Sequence, residues 1–521
     1  MTDSKQFNIH VTNLKKAQLP NTISIEIGQQ IEAKKEAFTQ ERALYKKGVK
    51  LYREGKAEEA DIIFAEVLAK HPEHSEALHL QGVIALQCGR YDESIALLKK
   101  AIDVKPNYVE AYNNLGAALM NAKRYDESLA CYQRALDINP QFAPAFTGIG
   151  CVLSRLGEYE LALQNCNDSI KINPNIAETY CNRGVVYCNL NLHEAAVADF
   201  KKSILLNSNY ADAYFNLSVA YLRLGHFDEG LPLFEWRWKV KALIAKQRKY
   251  DALLWLGDAS LQGKTILLWS EQGLGDSIQF CRYATILADL GAKVILETPA
   301  PLITMMIGLK GVHQLSTVDA PAAQIDYHCP LMSLPLAFKL QLDTIPAKLP
   351  YLYSPKQKQL DWLDKLGKKT KPRLGIVWSG NPNHGNDINR SLSLSIFYQI
   401  FTDKVQLISL QKEFRPQDQT FVDQHPDILH FENEMNDFSD TAALCMAMDL
   451  VVCVDTSVAH LAAALGRPVW MLLPFFADWR WLLAREDTPW YPNIKLYRQP
   501  KLNDWDSVLE RVKKDVLRIA F

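Results

Sequence analysis

The chain has 521 residues, 48% hydrophobic and 22% charged, with a formal net charge of −1. That length exceeds one core and implies two or more domains, while a nearly neutral, ordinary globular composition supplies no field to draw nucleic acid or an anionic membrane. No apolar run approaches the ~20 residues that span a bilayer, residues 1–30 lack the apolar core of an export signal, and ten cysteines without a Cys-x-x-Cys pair point to a reducing, cytoplasmic setting with neither a disulfide frame nor a zinc site.

Residues 1–40 read as an N-terminal extension, partly helical or flexible. From residue 41 two rulers run together. Pro72, Pro106, Pro140, Pro174 and then Ser208 stand 34 residues apart, and so do Gly48, Gly82, Gly116, Gly150, Gly184 and then Ser218. Six units start at 41, 75, 109, 143, 177 and 211. Apolar residues, large in five of the six units, occupy the twenty-fourth position (Phe64, Leu98, Tyr132, Cys166, Phe200, Phe234) and small ones the twentieth (Ala60, Ser94, Ser128, Ala162, Ala196, Gly230). This is the pattern of two antiparallel helices in close approach, stopped by a proline. A 34-residue period of this kind is the signature of tetratricopeptide repeats, whose units bury their apolar stripes by stacking into an α-solenoid. The array is expected over 41–244. Cys88, Cys131, Cys151, Cys166, Cys181 and Cys188 fall on its helices, where a thiol acts as a small hydrophobe.

The sixth unit lacks both the Gly and the Pro and runs into Phe234-Glu-Trp-Arg-Trp238. Three aromatics in five residues favour docking on the following domain; a plain hydrophobic cap is the alternative. The sixth position of a repeat faces the concave side and carries Asn114, Asn182 and Asn216, with Asn113 beside the first. A side-chain amide both donates and accepts, so such a row suits an extended polypeptide. The alternative is that Asn is merely tolerated there.

Past residue 250 the pattern changes to short apolar runs between helical stretches. The runs 265–270 and 293–297, with a helix over 277–290 closed by Gly291, read as a βαβ unit of a first Rossmann-like half, 251–355. A stretch rich in Pro and Lys, 346–372, reads as a connection holding one helix. The pattern restarts in a second half, 371–521, with strands at 373–378, 405–410, 450–454 and 468–473. Two such units place a cleft between two sheets, and their ligands bind beyond the carboxyl ends of the strands.

Three loops sit at those ends. Glu271-Gln-Gly-Leu-Gly-Asp276 has Gly273 and Gly275 for close backbone approach and Asp276 at a helix start, where a capping role is the alternative. It lacks the third Gly of a dinucleotide loop, since residue 278 is Ile, and the Lys of a P-loop. The polar loop 378–391 carries Ser379, Asn381, His384 and Arg390, and a guanidinium pairs well with phosphate; a solvated surface loop is the alternative. Asp455-Thr-Ser-Val-Ala-His460 lies between a strand and an Ala-rich helix. There the Thr456 and Ser457 hydroxyls and the first helical amides form a cradle for a diphosphate, with His460 one turn on; a plain helix cap is the alternative. Trp479, Trp481, Trp490 and Tyr491 either line a pocket or pack a core, and Arg480 stands among them. Asp504-Trp-Asp506 reads as a helix-start cap rather than a metal-binding pair.

Gly-Leu-Gly-Asp276, Ile-Val-Trp-Ser-Gly-Asn381 and Asp455-Thr-Ser-Val-Ala-His-Leu-Ala-Ala-Ala-Leu-Gly-Arg-Pro468 resemble the glycosyltransferase family that contains the bacterial heptosyltransferases (glycosyltransferase family 9). The likeness covers about 262–500. With the repeats, the chain resembles bacterial tetratricopeptide-repeat proteins that carry such a domain. The resemblance implies a GT-B fold with a nucleotide-sugar donor on the second half and an acceptor facing the first. It implies Asp276 as base, and Asp455, Thr456, Ser457, His460 and, on a looser match, Arg390 at the donor phosphates. Gly273, Gly275, Ser379, Asn381 and Arg480 would border the donor. An inverting transfer of this kind needs a base and an anion site, and no metal or other cofactor is expected. The expected partners are a nucleotide sugar and a protein or peptide held by Asn114, Asn182 and Asn216. Two other readings are a scaffold with an inactive transferase domain and a sensor that binds a sugar nucleotide without turnover.

Overall fold

The computed structural model describes residues 21–317, 324–383 and 385–518; His384 lies outside them. They fall into two compact units, divided between Pro174 and Asn175.

The first unit is a run of helix pairs. Its helices are α1 (Asn21–Arg53), α2 (Ala57–Lys70), α3 (Ser75–Gln87), α4 (Tyr91–Val104), α5 (Val109–Asn121), α6 (Tyr125–Ile138), α7 (Ala143–Leu156) and α8 (Tyr159–Ile172). The sequence rulers have a steric origin. A Cβ placed on Gly48, Gly82, Gly116 or Gly150 would meet Phe64, Leu98, Tyr132 or Cys166 at 2.7, 2.8, 2.9 and 2.8 Å. The eighth position therefore stays bare so that the twenty-fourth can seat its side chain. The Ser94 and Ser128 hydroxyls each donate to the carbonyl of the facing glycine, Gly82 and Gly116, at 2.7 Å.

The second unit opens with two more pairs, α9 (Ala177–Asn189) with α10 (His193–Leu206) and α11 (Ala211–Leu224) with α12 (Phe227–Phe234). The sixth unit docks rather than capping a free end. Leu222, Phe227, Leu231 and Phe234 are buried in one core with Leu334 and Trp479 of the α/β region. A 3-10 turn, Glu235–Lys239, then buries Arg237. Asn191 donates to the Phe475 carbonyl at 2.9 Å, and the Arg223 guanidinium lies 3.7 Å over the Phe476 ring.

Two parallel sheets follow. The first holds β1 (Leu253–Leu254), β2 (Thr265–Trp269), β3 (Lys293–Glu297), β4 (Val312–Ser316) and β5 (Tyr327–Pro330), in the order β1-β5-β2-β3-β4. The second holds β6 (Arg373–Val377), β7 (Gln406–Ser409), β8 (Ile428–Leu429), β9 (Leu450–Val454), β10 (Val469–Leu473) and β11 (Ile494–Arg498), in the order β11-β10-β9-β6-β7-β8. The helix expected over 277–290 is two, α13 (Leu274–Phe280) and α14 (Tyr283–Asp289), broken where Arg282 turns inward to the Pro346 and Trp490 carbonyls. Later helices include α15 (Lys356–Leu366), which supplies the single helix of the connection, α16 (Pro416–Gln424), α17 (Phe438–Ala447), α18 (Ser457–Ala464) and α19 (Trp505–Arg518).

In both sheets the strand order reverses at a central pair, β2 with β5 in the first and β6 with β9 in the second. Loops leaving such a pair diverge and open a crevice at the carboxyl end of the sheet. The 271–276 turn follows β2, the 379–390 loop follows β6 and the 455–460 turn follows β9, so all three candidate loops stand at those reversals.

Candidate functional site

α13 and α18 pack against each other at their starts. A Cβ on Gly275 would lie 3.0 Å from His460 Cδ2 and 3.6 Å from Ser457 Cα. Glycine at 275 is thus what lets the turn of the first sheet meet the turn of the second. Residues 455–458 are half-buried there, not sealed.

Asp276 accepts the Gly273 amide at 2.8 Å through Oδ2. Its Oδ1 pairs with Arg480 Nη2. The carboxylate both ties its own turn and reaches the other half. Arg480 is buried, holds Asp478 through Nη1 at 2.8 Å, and leaves Nε without a hydrogen-bond partner. Burial opposes its charge, but Asp478 and Asp276 more than compensate and keep its pKa above the usual range.

Thr456 is the residue before α18, yet its hydroxyl does not cap the helix; Thr456 Oγ1 is buried with no hydrogen-bond partner. The first amides of a helix lack intrahelical acceptors and carry partial positive charge. Asp455 has both ends engaged. Its carboxylate accepts Trp481 Nε1 at 2.8 Å and its carbonyl accepts Arg390 Nη1 at 2.9 Å. Burial, helped by Asp478, raises the Asp455 carboxyl to about 6. His460 turns into the protein, with Nδ1 3.0 Å from the Tyr491 hydroxyl and its ring beside Trp481. Burial, with the charge of Arg480 beside it, pushes His460 down to about 3. The imidazole is therefore neutral and brings a hydrogen-bonding group to the turn rather than a charge.

Arg390 belongs to the short helix Asp387–Arg390 and folds over the next loop's backbone. A Cβ on Gly380 would lie 2.5 Å from its Nη2. Asp387 braces it 3.6 Å from Nε and also holds Arg415 at 2.5 Å. Ser379 is buried, and its amide donates to Gln411 Oε1 at 3.4 Å. Asn381 is exposed and accepts the Asn383 amide at 2.9 Å, which shapes its own loop.

The structure brings Gly275, Asp276, Asp455, Thr456, Ser457, His460, Arg390 and Arg480 into one neighbourhood. The late aromatics back this site from the core: Trp481, Trp490 and Tyr491 are fully buried. Sequence reasoning left out Glu271, Arg237 and Gln411 as partners of the site. The first two stood inside quoted motifs; Gln411 carries no local signal. The repeat asparagines differ in their neighbours. Asn114 Nδ2 lies 2.8 Å from His79 Nε2, and Asn216 Nδ2 donates to Cys181 Sγ at 3.6 Å. Asn182 Nδ2 is buried without a partner.

Asp504 accepts the Ser507 amide at 3.2 Å and the Ser507 hydroxyl at 2.8 Å, so it caps α19 as read. Among the described residues no group of three or more His, Cys, Asp or Glu could hold a metal, and no helix is long and apolar enough to cross a membrane. All ten cysteines are free thiols.

Comparison with known proteins agrees with this layout. Tetratricopeptide-repeat models match residues 42–74, 82–123, 109–142, 131–164 and 177–210. The model of glycosyltransferase family 9 (heptosyltransferase) matches 435–473, the segment that holds β9, the 455–460 turn and α18. Protein FlbA of Caulobacter vibrioides is 24% identical over 315 residues, 56% of this chain. The chain spans about half, 52%, of that curated relative's length. Among solved structures, a thermophilic TPR protein of Thermus thermophilus is 22% identical, covering 35% of this chain and 99% of its own, with a TM-score of 0.33. MamA is 27% identical, covering 32% of this chain and 96% of its own, with a TM-score of 0.27. The chain thus matches tetratricopeptide-repeat models in its N-terminal part and the glycosyltransferase family 9 model over a segment near its C-terminus.

Proposed function

We propose that this protein is a glycosyltransferase of GT-B type, which moves a sugar from a nucleotide-sugar donor on the second sheet to a protein or peptide acceptor presented by the repeats. The observation that carries the reading is the start of α18: Thr456 Oγ1 is unpartnered, and the Arg390 and Arg480 guanidinium groups flank Asp455 there. Positive charge and free donors converge at that point, which suits a diphosphate.

In the proposed step an acceptor hydroxyl attacks the anomeric carbon as the bond to the diphosphate oxygen breaks. The configuration inverts, the hydroxyl proton passes to Asp276, and the diphosphate leaves on the α18 amides, Thr456, Ser457 and the arginines. This demands no resident metal, because the leaving charge is met by the chain's own donors. The Asp276–Arg480 pair competes with proton uptake, so Arg480 turns from Asp276 towards the diphosphate when the donor binds. That exchange links donor binding to release of the base. Ten free thiols, seven of them buried, are compatible with a reducing, cytoplasmic setting for this chemistry.

The same pair favours a second reading, in which Asp276 is permanently neutralised and the α/β region is an inactive relic beside a repeat scaffold. Calorimetric titration with UDP, GDP and ADP, followed by transfer assays on a panel of nucleotide sugars, separates the two. Binding with transfer that is lost in Asp276→Asn and Ser457→Ala supports the transferase. No binding of any nucleotide leaves the scaffold, and binding without transfer or hydrolysis leaves a sensor.

A further inference from the structure

One buried carboxyl of the 271–276 turn has no task in that reading. The Glu271 side chain is 2% exposed. Its Oε1 accepts Arg237 Nη2 and the Met332 amide, each at 3.2 Å, while Oε2 is buried with no hydrogen-bond partner. Met332 follows β5, the other strand of the reversal, and its sulfur lies 3.9 Å from Arg480 Nη2. That nitrogen is the one paired with Asp276 Oδ1. Glu271, Met332, Arg480 and Asp276 are therefore successive neighbours in one cluster. Arg237 comes from the terminal repeat segment and also holds Ser333 Oγ at 2.6 Å. The charged and titratable groups around Glu271 are Arg237 and Glu235 from that segment, Cys329 from β5, Asp276 from α13 and, beyond Met332, Arg480.

Resting on the transferase reading, we propose that Glu271 is a positioning residue acting through Asp276: its buried carboxyl, held by Arg237 of the last repeat, places or withdraws a negative charge beside Asp276 and so makes transfer depend on its ionisation. A negative charge near a carboxyl favours its protonated form. An ionised Glu271 thus makes the surroundings of Asp276 more negative and proton uptake from the acceptor hydroxyl easier. Burial, with Asp276 adding to it against the pull of Arg237, raises Glu271 to about 7. Both its forms are then present near neutrality. Transfer rises with pH between about 6 and 8 as the charge appears, and the last repeat sits in direct contact with the group that sets this dependence.

The test has two arms. Steady-state transfer by the full chain is measured from pH 6 to 9 for the wild type, Glu271→Gln and Glu271→Asp. The expected result for Glu271→Gln is loss of the limb near pH 7 and a kcat at pH 8 lower by about tenfold, one pK unit of driving force, with KM unchanged and the limb restored in Glu271→Asp. An unaltered profile in Glu271→Gln overturns the proposal. The second arm needs no activity. Infrared titration of the 13C-glutamate-labelled protein should show a carboxyl band bleaching with a midpoint near 7, absent in Glu271→Gln and moved to lower pH in Asp276→Asn. A midpoint in the ordinary carboxylate range, or one that Asp276→Asn does not move, also overturns it. If no donor is ever turned over but the band behaves as described, the transferase reading fails and the carboxyl pair stands.

Discussion

At the scale of single residues the site turns on what Asp276 touches. A carboxylate acting as general base contributes rate without much ground-state binding. Asp276→Asn should therefore lower kcat by roughly 10²–10⁴-fold while leaving calorimetric nucleotide affinity within a few-fold. A variant that binds normally and turns over at the wild-type rate would remove Asp276 from the base role. This residue was legible because its motif is local: two glycines and an acid at a strand-to-helix turn. Its partner was not. Arg480 lies 204 positions further on, and nothing in a chain read from end to end says that two such residues share a proton or a charge. Glu271 and Arg237, 34 positions apart, meet for the same reason of folding. His460 shows what spacing does not carry. Its position one turn on from Thr456 was legible, but its packing on Tyr491 and Trp481, and the burial that decides its charge, were not.

At the scale of elements two close approaches can be probed. In the fifth repeat a Cβ on Gly184 would lie 2.6 Å from Phe200 Cε1. Gly184→Val should cost about 1–3 kcal/mol through overpacking, seen as a lower midpoint in urea unfolding followed by far-ultraviolet dichroism. An unchanged midpoint would mean that the ruler marks something other than helix packing. Gly275→Val pushes α13 away from α18, since its neighbour is already the buried His460 ring. The expected outcome is nucleoside-diphosphate affinity weakened by about tenfold, or 1.4 kcal/mol, with secondary structure unchanged. Full affinity would show that the two helix starts do not act together. Most strands of four residues or more were readable, because buried parallel strands are continuous apolar runs. The two-residue strands β1 and β8 were not, nor were β4 and β5 of the first sheet, nor β11, whose Ile494-Lys-Leu-Tyr-Arg498 mixes apolar and basic residues at the sheet edge.

At the scale of the whole molecule pH acts through buried groups of opposite sign. His193 and His460 are depressed by burial to about 4 and about 3. Their contribution to stability is complete above the unfolded histidine range near 6.5 and is lost as pH falls towards those values. Glu271 and Asp455, raised to about 7 and about 6, run the other way: they favour the fold as pH falls to the ordinary carboxylate range. The two sets oppose each other, so the histidine part is best seen by difference. The stability of His193→Asn relative to wild type should rise by up to about 1.4 kcal/mol per pH unit between pH 6.5 and 4.5, measured by chemical denaturation at each pH. A constant offset would mean that His193 is not held neutral in the fold.

The sequence alone determined the repeat array, the parallel α/β character of the second half and the three loops that could bear chemistry. Repeats and strands declare themselves because their contacts are made between neighbours in the chain or with a periodic face, so the pattern of side chains is the pattern of burial. Tertiary structure alone decided which loop residues meet. It paired Asp276 with Arg480, turned His460 inward, laid Arg390 on Gly380 and brought Arg237 of the last repeat against Glu271. Those choices depend on sheet order and on what each side chain loses when water is removed, and neither quantity is carried by any short stretch of chain.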